Sequence, residues 1–183
     1  MNIEIRKARE KDALTISIVY VYTWKTTYCG LIPEEALDAL LSELPQRAEK
    51  MRHRILEEDT VLAATADDTV VAFYIYGPSR NKDFSAAGEI YALYCLKGFH
   101  GKGIGKALFL AAVQDMVRQG YQTMILNCLK GNSSLQFYQH MGGTVIGERE
   151  DAFSGGILHE DIVFYKELDK IIERKTKKKS SGA

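Results

Sequence analysis

The chain has 183 residues, of which 46% are hydrophobic and 26% charged, a composition that is ordinary for a globular protein and excludes intrinsic disorder. No apolar run approaches the roughly 18 residues of a membrane-spanning helix, and the first residues lack a signal peptide's apolar stretch, so we expect no membrane partner. The formal net charge is zero, but residues 174–179 hold five of the 24 basic side chains. The remaining, mildly acidic part argues against nucleic acid as a ligand and suits a cationic, amine-bearing substrate.

In the first third of the chain, short periodic segments predict one strand and several helices. Residues 3–6 alternate like a half-buried strand, and Asp12 can cap a helix that runs to about residue 27. On this helix the expected buried face consists of Leu14, Ile18 and either Val21 or Tyr22. Pro33 begins a short helix, and Pro45 opens another that ends near residue 57.

The remaining elements alternate between strands and helices. The predicted strands cover residues 61–66, 70–76, 89–96, 124–129, 144–150 and 158–165, and the predicted helices cover 103–119 and 133–141, the latter capped by Ser133. The fully apolar segment 124–129 is typical of a strand in parallel pairing. The resulting order, β-α-α-β-β-β-α-β-α-β-β, predicts an α/β fold with helices on both faces of the sheet.

Length and cysteine content limit the organisation further. We expect a single domain over residues 1–168, followed by a basic, flexible tail over residues 169–183. Cys29, Cys95 and Cys128 are widely spaced and form no CxxC pair. They indicate neither a disulfide framework nor a zinc site, so we expect no metal and a reducing, cytoplasmic setting.

The most informative segment is the glycine loop, residues 98–106, which has glycine at positions 98, 101, 103 and 105 between an apolar strand and a long helix. Glycines let a backbone approach phosphate oxygens closely, and the first helical turn directs unpaired N–H groups at them. A Walker A loop is excluded because Ala107 follows Lys106, and a dinucleotide fingerprint is excluded because Lys106 replaces its third glycine. The alternative is that these glycines only cap and turn the chain.

This loop resembles the pyrophosphate loop of the GNAT N-acetyltransferase superfamily, Arg/Gln-x-x-Gly-x-Gly/Ala. Gly103 and Gly105 match its two glycines, whereas His100 stands where Arg or Gln is usual. The segment from Asn132 to Tyr138 resembles the later family motif, in which an Asn touches the cofactor and a Tyr lies beside the thioester sulfur. The resemblance implies an acyl-CoA N-acyltransferase-like fold, with a mixed, mostly antiparallel sheet of about seven strands.

The resemblance also implies acetyl-CoA as co-substrate. The strand at 89–96 is expected to offer its backbone to the pantetheine arm, and the N–H groups of residues 93–95 are expected to face the acyl oxygen. The cofactor-binding residues implied in this way are Leu93, Tyr94, Cys95, His100, Gly101, Lys102, Gly103, Ile104, Gly105, Lys106, Asn132 and Tyr138.

Transfer to an amine requires the neutral amine. A lysine-like amine with a pKa near 10.4 is neutral in about one molecule in 2,500 at pH 7, so deprotonation adds roughly 4–5 kcal/mol to the barrier. Glu89, at a position that is catalytic in some members of the resembled family, is the candidate base, and burial should raise its pKa for this role. The alternative is an edge carboxylate that orders solvent or pairs with a substrate ammonium. Tyr138 is the candidate acid for the departing thiolate, and helix packing is its alternative.

The acceptor is expected to be held by aromatic and polar side chains: Trp24, Tyr28, Tyr91 and Asn127. Trp24 and Tyr28 lie four residues apart, so simple core packing is an equal alternative for them. These expectations describe an N-acetyltransferase that passes acetyl directly to a primary amine of a small molecule or peptide. The rival readings are a CoA-binding sensor of the same fold and a nucleotide-binding module. Dimers are frequent in the resembled family, and the sequence leaves a homodimer open.

Overall fold

The chain forms a seven-stranded mixed sheet in a computed structural model that describes residues 1–57, 60–153 and 156–173. The strands are β1 (Ile3–Lys7), β2 (Val61–Ala66), β3 (Thr69–Pro78), β4 (Gly88–Cys95), β5 (Thr123–Leu129), β6 (Thr144–Phe153) and β7 (Gly156–Lys166). The helices are α1 (Ala13–Thr27), α2 (Glu34–Ser42), α3 (Leu44–Glu57), α4 (Ile104–Arg118) and α5 (Ser134–His140). This confirms the predicted fold class. The helices predicted from Pro33 and Pro45 are α2 and α3, so three helices precede β2 where the predicted order counted two.

The strand order is β1-β2-β3-β4-β5-β7-β6. β1 pairs with β2, β2 with β3 and β5 with β7, in each case antiparallel. β4 and β5 are parallel, with Glu89 opposite Ile125. A parallel pair needs a crossover connection, and α4 lies between the two strands in the chain. The prediction of parallel pairing for β5 is therefore confirmed.

The chain divides into two compact units, and the first consists mainly of Met1–Ile75 and Ala92–Leu108. In it α1 packs against α2 and α3. The predicted buried face of α1 is wrong at Leu14, which is 52% exposed, but its Val21 alternative is confirmed, since Val21 is buried and Tyr22 is 59% exposed. Ile16 and Val19, which were not predicted, are buried as well. The helix carries apolar side chains around its whole circumference, so periodicity could not select the inward face.

The predicted cap of α1 is also different. Asp12 precedes the helix but makes no side-chain cap hydrogen bond. Its Oδ2 instead accepts from Arg6 Nη1 at 2.6 Å and from the Arg9 backbone N–H at 2.7 Å. Burial alone would raise the pKa of Asp12, but these donors hold that pKa below its usual value. Asp12 therefore joins β1 to the start of α1 as an ion-pair partner.

The second unit consists mainly of Tyr76–Tyr91, Phe109–Asp151 and the residues from Leu158 onward. Its core is formed by α4, β5 and β7 through Phe109, Ala112, Val113, Met116, Met124, Ile125, Leu126, Val163 and Tyr165, all at most 2% exposed. Residues 168–173 are helical and bury Leu168 and Ile171, so regular structure continues past the expected tail boundary at residue 168. The rest of the predicted tail, residues 174–183, lies outside the described residues.

Across residues 1–57, 60–153 and 156–173, none of the helices combines the length and apolar character that crossing a membrane requires.

Candidate active site

The glycine loop of the first unit joins the end of β4 to α4. Gly101 has φ +75° and Gly103 has φ +78°, which is the left-handed region that favours glycine. A Cβ built at either position would meet nothing within 4 Å, so the backbone borders open space. Glycine is therefore required at both positions by backbone conformation rather than by crowding.

The loop leads directly into the first turn of α4. The Ala107 N–H donates to the Gly103 carbonyl at 3.0 Å, which places the amides of Ile104, Gly105 and Lys106 in the turn whose N–H groups have no acceptor within a helix. The positive end of the helix dipole lies at the same point. This is the arrangement with which proteins bind phosphate oxygens.

Basic side chains surround this helix terminus. Lys102 and Lys106 are exposed, and the Lys102 ammonium lies 4.9 Å from the Phe99 ring centroid. The His100 ring turns back onto its own loop, where Nε2 lies 2.9 Å from the Cys95 carbonyl oxygen. In this conformation His100 supports the loop through the backbone of β4.

Residues 93–95 form the end of β4, and the next amide, that of Leu96, donates to the Val71 carbonyl at 3.0 Å. Burial raises the pKa of the Cys95 thiol to about 11. In the second unit, burial, with help from Asp161 and Glu160, raises the pKa of the Cys128 thiol to about 12. Both thiols are protonated at neutral pH, which makes them poor nucleophiles.

The predicted base, Glu89, lies in the second unit with a fully buried side chain. Its Oε1 accepts from Arg80 Nε at 3.1 Å and Nη2 at 2.6 Å, and its Oε2 accepts from the Arg80 backbone N–H at 2.7 Å. The Arg80 side chain is 60% exposed, so the ion pair joins a buried carboxylate to a solvated guanidinium. Both oxygens of the predicted base are thus engaged.

Two predicted acceptor residues of the second unit border this ion pair. The Arg80 guanidinium lies 4.1 Å from the Tyr91 ring centroid, and the Tyr91 hydroxyl donates to the Pro78 carbonyl at 2.6 Å. Asn127 Nδ2 lies 3.5 Å from Glu89 Oε1, while Asn127 Oδ1 is buried without a hydrogen-bond partner among the described residues. The structure therefore brings Glu89, Tyr91 and Asn127 together around Arg80.

Sequence reasoning missed Arg80 and a second carboxylate, Glu160. Arg80 follows β3 in a polar loop, and nothing in the spacing indicates that this loop returns to Glu89. Burial raises the pKa of Glu160, although Arg149 Nε lies 3.4 Å from its Oε2 and opposes that shift. Only the pairing of β5 with β7, which puts Glu160 opposite Leu129, reveals its position.

Asn132 lies two residues before α5, and Tyr138 lies within that helix. Asn132 Oδ1 accepts from the Ser134 N–H at 2.9 Å, so Asn132 caps this helix; the predicted cap Ser133, already in a helical conformation, makes no such bond. The Tyr138 ring is half-buried and lies 5.4 Å from that of Phe137. Its carbonyl oxygen accepts from the Tyr165 hydroxyl at 2.9 Å.

Trp24 and Tyr28 belong to an aromatic cluster of the first unit. Trp24 lies 4.9 Å from Tyr28 in edge contact and 5.2 Å from Tyr20 in a stacked arrangement. Its Nε1 donates to the Tyr94 hydroxyl at 3.0 Å, and Tyr28 is 9% exposed. These contacts favour the packing role of the two residues, and an acceptor wall built from them stays a prediction.

Comparison with known proteins gives consistent matches. A model of the acetyltransferase (GNAT) family matches residues 20–143. An uncharacterized N-acetyltransferase, YuaI, from Bacillus subtilis is 28% identical over 86% of this chain and 90% of its own. A spermidine N(1)-acetyltransferase from Thermoplasma acidophilum is 31% identical over 78% of this chain and 88% of its own.

Solved structures agree with these matches. The crystal structure of the PaiA N-acetyltransferase from Thermoplasma acidophilum, in complex with coenzyme A, superposes with a TM-score of 0.74 at 27% identity and covers 91% of this chain and 99% of its own. A structure of YncA from Salmonella typhimurium with acetyl-CoA, at 19% identity and a TM-score of 0.69, shares the fold over 91% of this chain and 94% of its own. Because the family model covers most of the chain, including the glycine loop, the chain belongs to the GNAT family of acetyltransferases and is an acyltransferase.

Proposed function

We propose that this enzyme transfers the acetyl group of acetyl-CoA directly to a primary amine of a small molecule or peptide, in the cytoplasm. The observation that carries the proposal is the left-handed glycine loop at the N-terminus of α4, inside the segment that matches the family. Relatives support it, since one is named for spermidine acetylation and one was solved with coenzyme A. The sensor reading remains the alternative, and a homodimer remains a prediction.

The glycine loop fits a diphosphate. Open space borders Gly101 and Gly103, the first amides of α4 face it, and Lys102 and Lys106 supply positive charge. In the proposal these residues hold the diphosphate, with His100 supporting the loop, while the backbone of Leu93, Tyr94 and Cys95 lies along the pantetheine arm and Asn132 provides a further contact. When bound, acetyl-CoA supplies an acyl carbon that an amine can attack and a thiolate that can leave.

Glu89 serves as the base in this proposal, and Arg80 determines when it can act. The Nε and Nη2 groups of the Arg80 side chain both donate to Glu89 Oε1, whereas Oε2 accepts from the Arg80 backbone N–H. Displacement of the exposed Arg80 side chain therefore leaves Oε1 with the long contact to Asn127 Nδ2, at 3.5 Å, while Oε2 keeps the carboxylate in place. An incoming ammonium could occupy the vacated position, with Asn127 Oδ1 as a second acceptor and Tyr91 beside it.

Tyr138 is proposed as the acid that protonates the leaving thiolate. A phenol and a thiol have comparable pKa values, near 10 and 8.5, so proton transfer between them is not strongly uphill at neutral pH. The Tyr165 hydroxyl donates to the Tyr138 carbonyl oxygen at 2.9 Å and so anchors the backbone of α5 at this residue.

Two measurements test the proposal. Acetyl-CoA should raise the melting temperature more than ATP or NAD does, and thiol release should follow with some member of a panel of polyamines, amino acids, aminoglycosides and peptides. Binding without thiol release for every amine would favour the sensor reading. Absence of acetyl-CoA binding would refute the proposal altogether.

A matched pair of variants tests the loop itself. Gly103→Ala places a side chain at φ +78°, which costs about 1–2 kcal/mol of backbone strain and intrudes on the diphosphate position. Gly120→Ala carries a similar strain at φ +91°, also with open space around it, but lies beyond the C-terminus of α4. Only Gly103→Ala should weaken acetyl-CoA binding, by tenfold or more. Equal affinities of the two variants for acetyl-CoA would show that the glycine loop does not bind the cofactor.

A further inference from the structure

The first unit contains a groove between α1 and α3, above β3 and β4. Its volume is about 480 Å³, which lies within the roughly 300–1,000 Å³ of small-molecule pockets. Ile75 and Ala92 form its floor, and Tyr20 lines the α1 side. We call this the basic groove, because of the side chains that α3 contributes to it.

Three cations line the basic groove from one face of α3. Arg47, Lys50 and Arg54 follow each other at intervals of three and four residues, so their side chains share that face. Glu57 is the carboxylate among the lining residues, and His53 lies between it and Glu49. A cleft lined mainly by one sign of charge concentrates ligands of the opposite sign.

Arg47 offers a specific donor to such a ligand. Its Nη2 binds Glu43 Oε2 at 2.7 Å, and its guanidinium carbon lies 4.9 Å from the Tyr20 ring centroid. Its Nε is buried and has no hydrogen-bond partner among the described residues. A buried donor without an acceptor is destabilising, and guanidinium geometry suits the oxygens of a carboxylate or phosphate. Burial raises the pKa of the neighbouring Tyr20, so its hydroxyl also remains a neutral donor.

The position of the groove relates it to the proposed reaction. Ala92 belongs to β4 and directly precedes residues 93–95, whose backbone is assigned to the acyl group under the proposed function. A ligand on this floor therefore lies against the same strand as the reacting carbonyl. We propose that the basic groove binds an anionic group, a carboxylate or a phosphate, of the acceptor itself, so that the substrate is an amino acid or a phosphorylated amine.

This inference rests on the proposed function and separates the chain from its polyamine-acetylating relative. A polyamine carries several ammonium groups, and juxtaposing them with three cations is unfavourable. An acceptor with its own anion is attracted instead. The same cations disfavour the ammonium form of an amine held nearby, which lowers the amine's pKa and enlarges the reactive neutral fraction.

Amines that differ only by an anionic group test the inference. Lysine is compared with cadaverine, tyrosine with tyramine, and phosphoethanolamine with ethanolamine, by thiol release at saturating acetyl-CoA. The kcat/KM should be about ten- to a hundredfold higher for the anionic member of at least one pair, as expected for a charged hydrogen bond. The amino acid pairs report on a carboxylate, and the ethanolamine pair reports on a phosphate.

Lys50→Gln should reduce that preference at least fivefold, because it lowers kcat/KM for the anionic member of the pair and relieves the repulsion of the member that carries only ammonium groups. Lys50 is exposed at the rim, so its replacement is compatible with folding. Lys11→Gln removes the same charge from an exposed position outside the lining residues and should leave the preference unchanged. Better turnover of cadaverine or spermidine than of every anionic partner, or an unchanged preference in Lys50→Gln, would overturn the inference while leaving the acetyltransfer proposal intact.

Calorimetry without acetyl-CoA separates failure of the groove from failure of the reaction. Lysine, tyrosine or phosphoethanolamine should bind the wild-type chain and bind Lys50→Gln at least fivefold more weakly. This result supports the groove even where no thiol is released, and in that case only the proposed function fails. Absence of binding for all three, together with no preference in turnover, overturns the inference.

Discussion

Loss of the Arg80 side chain should destabilise this protein much more than its exposure suggests. In Arg80→Ala, the fully buried Glu89 carboxylate loses the two guanidinium donors to Oε1, at 3.1 and 2.6 Å. Removing one partner of a buried ion pair typically costs about 3–5 kcal/mol. Because the backbone N–H of residue 80 and Asn127 remain near the carboxylate, we expect the lower end, about 3 kcal/mol.

The reverse change should cost less. Glu89→Gln keeps the side-chain shape and leaves a guanidinium that is 60% exposed and can be solvated by water. The expected loss of stability is about 1.5–2 kcal/mol, the lower part of the range of about 1.5–3 kcal/mol for a hydrogen bond to a charged group. In the double variant Arg80→Ala/Glu89→Gln no buried charge remains, so its stability should approach that of Glu89→Gln alone.

Urea unfolding at pH 7 measures these differences as shifts in midpoint at constant m-value. Arg118→Ala is the matched control, since Arg118 is 71% exposed in a surface pair with Asp115 and should cost at most about 0.5 kcal/mol. If Arg80→Ala were as stable as Arg118→Ala, the reasoning that Arg80 maintains a buried carboxylate would be refuted. Turnover gives the catalytic test: a base role predicts a 10²–10⁴-fold lower kcat in Glu89→Gln, and a loss below tenfold would assign Glu89 to structure.

Three further changes have defined outcomes. Gly143→Ala places a Cβ 2.5 Å from Val163 Cγ1, so thermal unfolding should show that the protein is about 1–3 kcal/mol less stable. A loss of stability below about 0.5 kcal/mol would contradict the close packing of Gly143 against Val163. Glu160→Gln should stabilise the protein at pH 7. The folded state raises the pKa of Glu160, so ionisation of this carboxyl lowers the free energy of unfolding as pH rises through that pKa, and Gln cannot ionise. The gain should vanish below about pH 4, where the native carboxyl is protonated in both states, and a gain independent of pH would exclude a charge effect. Tyr138→Phe should lower kcat about a hundredfold without changing acetyl-CoA affinity. Wild-type turnover in this variant would show that Tyr138 serves only in helix packing.

Features determined by local sequence were predictable. The glycine loop was predicted between an apolar strand and a long helix, and the apolar run 124–129 was predicted as a parallel strand; both are observed. The proximity of Asn127 to Glu89 also follows from the parallel register, which aligns Glu89 with Ile125. These predictions succeed because backbone conformation and strand pairing depend on residue type and spacing.

Features determined by tertiary packing were not predictable. The inward face of α1 could not be selected because Leu14 and Ile16 are both apolar, and only packing against α3 distinguishes them. The Arg80–Glu89 ion pair depends on the path of the loop after β3. The cationic face of α3 lines a groove only because α1 lies opposite it. In each case the decisive partner comes from an element that the local sequence does not identify.

Under the proposed function and the further inference, Glu89 and the cations of the basic groove shift the pKa of the acceptor amine in opposite directions. Pairing with the Glu89 carboxylate favours the ammonium form and raises the amine's pKa, which helps binding but opposes attack. The cations of the basic groove favour the neutral amine and lower that pKa. If Glu89 dominates, the rate should keep rising with pH toward the amine's unperturbed pKa or beyond it. If the groove dominates, the rate should level off at a lower pH, and Lys50→Gln should move that limit upward.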